Sequence, residues 1–206
     1  MSFYYNIELL NSSLTYAAYR QNISDILARP PGDEHAVKMR GYIVTNSEIM
    51  DEYSGGYKVP DSLKVKLGGA PATIWVVLTE GWCADAAYNL PIFNAIEKAL
   101  PHKVRLCIFP SDSYPEMLTA NLTDGGRSIP KVIILNEELK ELGSWGPRPA
   151  GLQTLMKEWK KEGLGLKEII SKVHDWYKTD ASQSLLNELA RMVEGYIERH
   201  VRVATF

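Results

Sequence analysis

Three short apolar runs in the middle of the chain constrain the fold most strongly. Residues Thr73–Leu78, Val104–Phe109 and Lys131–Leu135 are rich in apolar and β-branched side chains. Continuous apolar runs of this length are typical of strands that are buried on both faces. Segments with helical spacing separate the runs, including a short one at about 115–122, and residues 141–145 fit a short edge strand. The alternation predicts a β-α-β-α-β unit with a partly parallel sheet.

Helical patterns flank this central unit on both sides. Before it, helices are predicted over about 13–27 and 33–52, followed by an irregular connector that reaches about residue 69. After it, apolar residues recur at positions i, i+3, i+4 and i+7 in three further stretches. The chain therefore divides into three segments of one compact unit: a helical extension at 1–69, an α/β core at 70–160 and a second helical extension at 161–206.

Composition excludes several classes of partner. The 206 residues carry a net charge of −2 with no concentrated basic run, so we expect no nucleic-acid binding. No apolar stretch approaches the roughly 18 residues of a membrane span, and the first residues lack the pattern of a signal peptide. Two cysteines do not make a disulfide framework. These features predict a cytoplasmic protein with reduced thiols and no membrane partner.

A cysteine motif follows the first predicted strand. Trp82-Cys83-Ala84-Asp85-Ala86 opens a helix, and Ile129-Pro130 precedes the third strand. Over about residues 70–160 this arrangement resembles the thioredoxin fold, in which a tryptophan-flanked cysteine faces a proline, usually cis, across a shallow groove. The resemblance implies an α/β thioredoxin-like fold, with a central mixed sheet flanked by helices, to which N- and C-terminal helices are added.

A narrower resemblance is to a bacterial group of thioredoxin-like proteins with extra terminal helices. Four segments carry it, in the order that the group shows. They are Trp82-Cys83-Ala84-Asp85, Asn89-Leu90-Pro91, Arg127-Ser128-Ile129-Pro130-Lys131 and Trp145-Gly146-Pro147-Arg148-Pro149. This resemblance implies a fold more than a reaction.

Two departures from ordinary thioredoxins bear on mechanism. Ala86 stands where thioredoxins have their resolving cysteine, and Val77 stands where they have a buried acid in the preceding strand. Valine cannot assist proton transfer, and alanine cannot release a mixed disulfide. Both departures weaken the case for a general disulfide reductase.

Cys83 has two open interpretations. Free N–H groups and the dipole at a helix N-terminus lower a thiol pKa, whereas the charge of Asp85 opposes this effect. Cys83 is therefore either an exposed, nucleophilic single thiol or a small residue left over from a redox ancestor. Cys107 lies in the middle of a strand and is predicted to be a buried apolar residue. Any resolving thiol would come from glutathione, a partner protein or a second copy of the chain.

The remaining candidate site residues are Asp85, which also has two open interpretations, and Trp82, Ile129 and Pro130. Asp85 is a proton shuttle for Cys83 or a first-turn carboxylate with a capping role. Trp82 would stack on a partner peptide, and Ile129 would offer backbone hydrogen bonds to the same peptide. Pro130 would fix the turn that exposes the backbone of Ile129. The four histidines show no metal-ligand spacing, and the motif does not match monothiol glutaredoxins. We therefore predict neither a metal nor a cofactor.

Two functions follow from these residues. The first is a thiol redox protein, that is, a thiol–disulfide oxidoreductase that lacks a resolving cysteine. Its catalytic residues would be Cys83 and Asp85, and its substrate would be a protein or a low-molecular-weight thiol or disulfide. The alternative is a catalytically inactive thioredoxin-fold module that binds a protein or peptide at Trp82, Ile129 and Pro130. A homodimer, formed through the added helices or a Cys83–Cys83 bridge, is compatible with either function.

Overall fold

The computed structural model describes the backbone of residues 3–203 and the side chains of residues 3–196. Helices surround a single sheet of four strands in this part of the chain. In chain order the elements are α1 (Ile7–Asn11), α2 (Tyr16–Ala28), α3 (Glu34–Ser54), α4 (Asp61–Gly69), β1 (Thr73–Thr79), α5 (Ala84–Ala99), β2 (Val104–Pro110), α6 (Pro115–Ala120), β3 (Lys131–Leu135), β4 (Glu141–Trp145), α7 (Ala150–Lys161), α8 (Leu166–Asp180) and α9 (Gln183–Val203).

The sheet is mixed and has the strand order β2-β1-β3-β4. β1 pairs in parallel with β2, beginning at Thr73 opposite Val104, and pairs antiparallel with β3. β4 extends the antiparallel side of the sheet. The apolar runs therefore form the centre of the molecule, and the prediction of an α/β, thioredoxin-like fold with added terminal helices is confirmed.

The prediction of an irregular connector up to residue 69 is wrong, because that segment contains helix α4. The helix begins directly after Pro60, which occupies the N-cap position. Leu63 and Leu67, four residues apart, are buried against the core. Gly68 and Gly69 resemble a loop in sequence, yet they form the last turn of α4.

The apolar interior consists of two clusters. The larger one surrounds the sheet, where Phe93 makes edge-to-face contacts with Trp75 and Trp145 at centroid distances of 5.7 Å. The smaller one lies where α7 and α8 pack onto α5, and its buried members are Tyr88, Leu152, Ile169, Val173 and Tyr177. The C-terminal extension thus packs on the helix that begins at the cysteine motif.

The N-terminal helices hold the turn that leads to Cys83. The buried side-chain amide of Asn46, on α3, donates a hydrogen bond of 3.0 Å to the carbonyl oxygen of Gly81. Gly81 also packs closely on Ile23 of α2, since an added Cβ would lie 3.2 Å from Ile23 Cγ1. The extension therefore fixes the backbone of the cysteine motif from one side.

Candidate functional site

Cys83 lies at the start of α5 and faces the turn before β3. It occupies the N-cap position of α5. Its Sγ donates a hydrogen bond of 3.3 Å to the carbonyl oxygen of Ile129, and the Ile129–Pro130 peptide bond is cis. The structure therefore brings together Cys83, Ile129 and Pro130, which lie far apart in sequence.

The thiol of Cys83 is nevertheless covered. Its residue is only 7% exposed, and burial, with the nearby charge of Asp85, raises its pKa to about 12. The backbone N–H groups of Asp85 and Ala86 act in the opposite direction, as expected at a helix start, but they do not outweigh burial. The expectation of an exposed thiol at Cys83 is therefore wrong, because the residue is buried.

Asp85 is engaged in a buried ion pair. Arg148 Nε lies 3.1 and 3.0 Å from the two carboxylate oxygens, and Arg148 Nη2 lies 2.5 Å from Oδ2. Arg148 also donates to Gln153 Oε1 at 2.9 Å. A bidentate guanidinium–carboxylate contact of this kind holds the carboxylate in a defined orientation. Asp85 therefore has a further role beyond those of a helix cap or a free proton shuttle.

Helix α8 closes over the same carboxylate. The Tyr177 hydroxyl donates to Asp85 Oδ1 at 2.7 Å, and Asn89 Nδ2 donates to the Tyr177 oxygen at 3.0 Å. The ring of Tyr177 stacks on Tyr88 at a centroid distance of 4.3 Å, and the Tyr88 hydroxyl lies 2.8 Å from His174 Nδ1. The C-terminal extension thus covers the first turn of α5.

The segment Trp145–Pro149 positions Arg148. Trp145 Nε1 and the N–H of Ala150 donate to the two carboxylate oxygens of Glu188, at 2.7 and 2.8 Å. Gly146 has a φ of +113°, and a Cβ on it would overlap the carbonyl oxygen of Pro130. Only glycine fits such a close approach. The segment is therefore a structural link that places a guanidinium on Asp85.

Two buried hydroxyls lie on the other side of the cysteine motif. Those of Tyr19 and Thr79 make no hydrogen bond of good geometry within the described residues. Burial, followed by the proximity of Cys83, holds the pKa of Tyr19 above its ordinary value, while Thr79 lies close enough to lower it. The surroundings of Cys83 thus include polar groups that α2 and β1 contribute.

Trp82 points away from this covered region. It is 38% exposed and lines a groove of about 350 Å³, here called the Trp82 groove. Ile129, one of the predicted binding residues, lines the same groove, whereas Pro130 is buried and does not line it. The side chains that line the groove include Trp82, Asp112, Pro115, Leu118, Arg127 and Ile129.

Sequence reasoning did not assign Arg148 and Tyr177 to the site. Arg148 carried a signal, because its motif segment contains a cation and the cysteine motif contains an acid. Tyr177 carried none, since its helical spacing predicted only an apolar contact. Cys107 is buried in β2, as expected. Among the described residues, no group of three or more potential ligands could hold a metal ion, and no helix is long and apolar enough to cross a membrane.

The strand order, the cysteine at the start of α5 and the cis proline opposite it define a thioredoxin-fold protein. A family model described as thioredoxin matches residues 32–160, more than half of the chain, so the chain belongs to this thioredoxin family. The match begins in the linker before α3 and therefore includes part of the N-terminal helical segment. No curated protein is significantly similar to the chain.

Two solved structures are similar over almost their whole length. One is a protein of unknown function from Pseudomonas aeruginosa, with a TM-score of 0.60 and 19% identity, covering 94% of this chain and 99% of that one. The other is an HIV epitope scaffold, with a TM-score of 0.59 and 19% identity, covering 95% and 99%. At this level of identity the similarity concerns the fold alone, terminal helices included.

Proposed function

We propose that this thioredoxin-fold protein binds an extended segment of a partner protein in the Trp82 groove. The observation that carries the proposal is a contrast between neighbours. Trp82 is 38% exposed and lines an open groove, whereas Cys83 beside it is 7% exposed. An exposed tryptophan next to a preformed groove is the kind of residue that anchors protein interfaces.

The groove offers chemistry that suits a peptide. Trp82, Pro115 and Leu118 supply apolar surface, and the exposed side chains of Asp112 and Arg127 supply one charge of each sign. Arg127 uses one donor on the carbonyl oxygen of Pro115, at 3.1 Å, and a guanidinium has further donors. A segment with an apolar residue flanked by polar or charged ones would fit this surface.

A second candidate, thiol exchange by Cys83, is supported by the position of Sγ. It lies 3.3 Å from the carbonyl oxygen of Ile129 and beside the groove in which a substrate disulfide would lie. In that reaction the Cys83 thiol loses its proton to solvent, and its thiolate attacks one sulfur of the disulfide. A mixed disulfide forms, the other sulfur leaves as a thiolate, and an external thiol must then release the product. The burial of Cys83 requires the structure to open before this step.

A photocrosslinker at Arg127 tests both candidates, with Lys38 on α3 as a control position. Partner segments crosslinked only from Arg127 are identified by mass spectrometry, synthesised and titrated against variants. We expect Trp82→Ala to weaken peptide binding at least tenfold and Cys83→Ser to leave it within twofold. Tyr4→Ala, which removes another exposed aromatic residue, is the matched control.

The outcomes separate the two candidates. A partner recovered as a mixed disulfide in the wild type, and lost in Cys83→Ser, would establish thiol exchange in place of simple binding. Crosslinks that are the same from Arg127 and Lys38, together with a Trp82→Ala variant that binds like the wild type, would contradict the proposed groove.

A further inference from the structure

A second cavity lies at the end of β1 remote from Cys83. It has a volume of about 310 Å³ and lies between α4, α9 and the sheet. Apolar side chains line most of it, among them Leu67, Trp75, Ile134, Leu189, Met192 and Val193. A cavity of this size and character is in the range of small-molecule sites.

The charged groups of the cavity all have one sign. Lys103 and Arg191 line it, and no acidic side chain does so among the described residues. Lys103 Nζ donates one hydrogen bond of 2.8 Å to the carbonyl oxygen of Ala70, and an ammonium has three donors. Arg191 is exposed and bonds through Nε to the carbonyl oxygen of Asn187 at 3.2 Å. Both cations thus retain donors for an anion.

Two polar side chains of the cavity wall already have hydrogen-bond partners within the protein. The indole N–H of Trp75 is satisfied by Thr73 Oγ1 at 3.1 Å, and the Thr73 hydroxyl lies 3.3 Å from the carbonyl oxygen of Lys103. An apolar body would therefore leave these groups bonded as they are. The two requirements, an apolar body and a negative end, describe an amphipathic anion.

We propose that this cavity binds a free medium-chain carboxylate. The alkyl chain lies among the side chains of α4, α9 and the sheet, and the carboxylate is held by Lys103 and Arg191. Burial of apolar surface sets the dependence on chain length, with affinity rising roughly three- to fourfold for each added methylene. The site is independent of Cys83 and of the Trp82 groove, so its test does not depend on the proposed function.

Gly143 provides a variant that fills the cavity. A Cβ at this position in β4 would meet only Met192 Cε, at 4.0 Å, so a larger side chain has room in the cavity. Gly143→Leu therefore replaces ligand volume without a backbone clash, and leucine suits a strand better than glycine. Gly41→Leu, on the exposed face of α3 with no atom within 4 Å of its added Cβ, is the matched control.

Titration calorimetry with hexanoate, octanoate and decanoate, below their micelle concentrations, tests the site. We expect saturable binding that tightens along the series, at least a tenfold loss in Gly143→Leu and no change in Gly41→Leu. Lys103→Met and Arg191→Gln should each weaken decanoate binding several-fold and leave decanol binding unchanged. Equal affinity of Gly143→Leu and Gly41→Leu, or no saturable binding by the wild type, would overturn the site. Decanol bound as tightly as decanoate by the wild type would overturn its assignment to a carboxylate.

Discussion

The Tyr177 hydroxyl lies 2.7 Å from Oδ1 of Asp85, so a residue of the C-terminal extension seals the helix turn that Cys83 begins. Arg148 approaches the same carboxylate from the segment after β4. Three parts of the chain that are distant in sequence therefore meet at one acidic group. The raised pKa of the Cys83 thiol has a different main cause, its own burial, to which the charge of Asp85 adds while Arg148 acts against it.

Cys83 should react slowly with iodoacetamide in the folded protein. With a pKa of about 12, its thiolate population at pH 7 is roughly three orders of magnitude below that of an ordinary cysteine. Labelling followed by mass spectrometry of the peptide that contains Cys83, in the Cys107→Ser background, measures the rate between pH 6 and 10. The same protein unfolded in guanidinium chloride is the control and should label fast. A midpoint near or below 7 in the folded state would contradict the buried thiol.

Two tyrosine-to-phenylalanine substitutions should differ in their effect on the free energy of unfolding. Tyr177→Phe removes a hydrogen bond to a carboxylate and should lower the free energy of unfolding by about 1.5–3 kcal/mol. Tyr19→Phe removes a buried hydroxyl that has no hydrogen bond of good geometry, so we expect no loss, or a gain of up to about 1 kcal/mol. Urea denaturation measures both. An equal decrease in the free energy of unfolding for both variants would show that the Tyr177–Asp85 hydrogen bond does not stabilise the fold.

Asp85→Asn should destabilise the fold strongly. The substitution leaves the buried guanidinium of Arg148 without its counter-charge, and breaking a buried ion pair in this way costs about 3 kcal/mol or more. The exposed pair of Glu138 and Lys140 supplies the control, since Glu138→Gln removes one carboxylate charge from the surface. We expect no measurable change for Glu138→Gln. The double variant Asp85→Asn with Arg148→Met should recover part of the loss.

Stability should depend on pH through His174. Burial, followed by the charge of Lys178, lowers the pKa of His174 below its usual 6.5 in the folded protein. The unfolded chain therefore binds this proton more readily, and the free energy of unfolding falls as the pH drops from above 6.5 through the folded pKa. His174→Phe removes this contribution, so its profile between pH 7.5 and 5.5 should be flatter than that of the wild type. Profiles of equal slope would exclude His174 as a source of the pH dependence.

The strands at the core of the fold could be predicted from the sequence, whereas several contacts of the candidate site could not. Buried strands such as Thr73–Leu78 have a local signature, because both faces of the strand require apolar residues. Helix α4 was missed because its glycines and preceding proline resemble a loop. The burial of Cys83 could not be predicted, since it depends on tertiary packing in the cluster around the sheet, which segments distant in sequence build together. Helical periodicity predicted that the ring of Tyr177 packs on apolar neighbours. It gave no indication that the Tyr177 hydroxyl donates a hydrogen bond to Asp85.

The division of the interior into two clusters has a consequence for how the protein opens. The smaller cluster joins α7 and α8 to α5, and left-handed residues lie on both sides of α8, with Gly163 before it and Ala181 and Ser182 after it. Cooperative units that open locally often coincide with such small packed groups of helices. We expect amide hydrogens of α8 to exchange with solvent deuterium before those of β1. Cys83 belongs to the larger cluster around the sheet, so we expect its thiol to stay covered when α8 alone unfolds and to react only when the larger cluster opens.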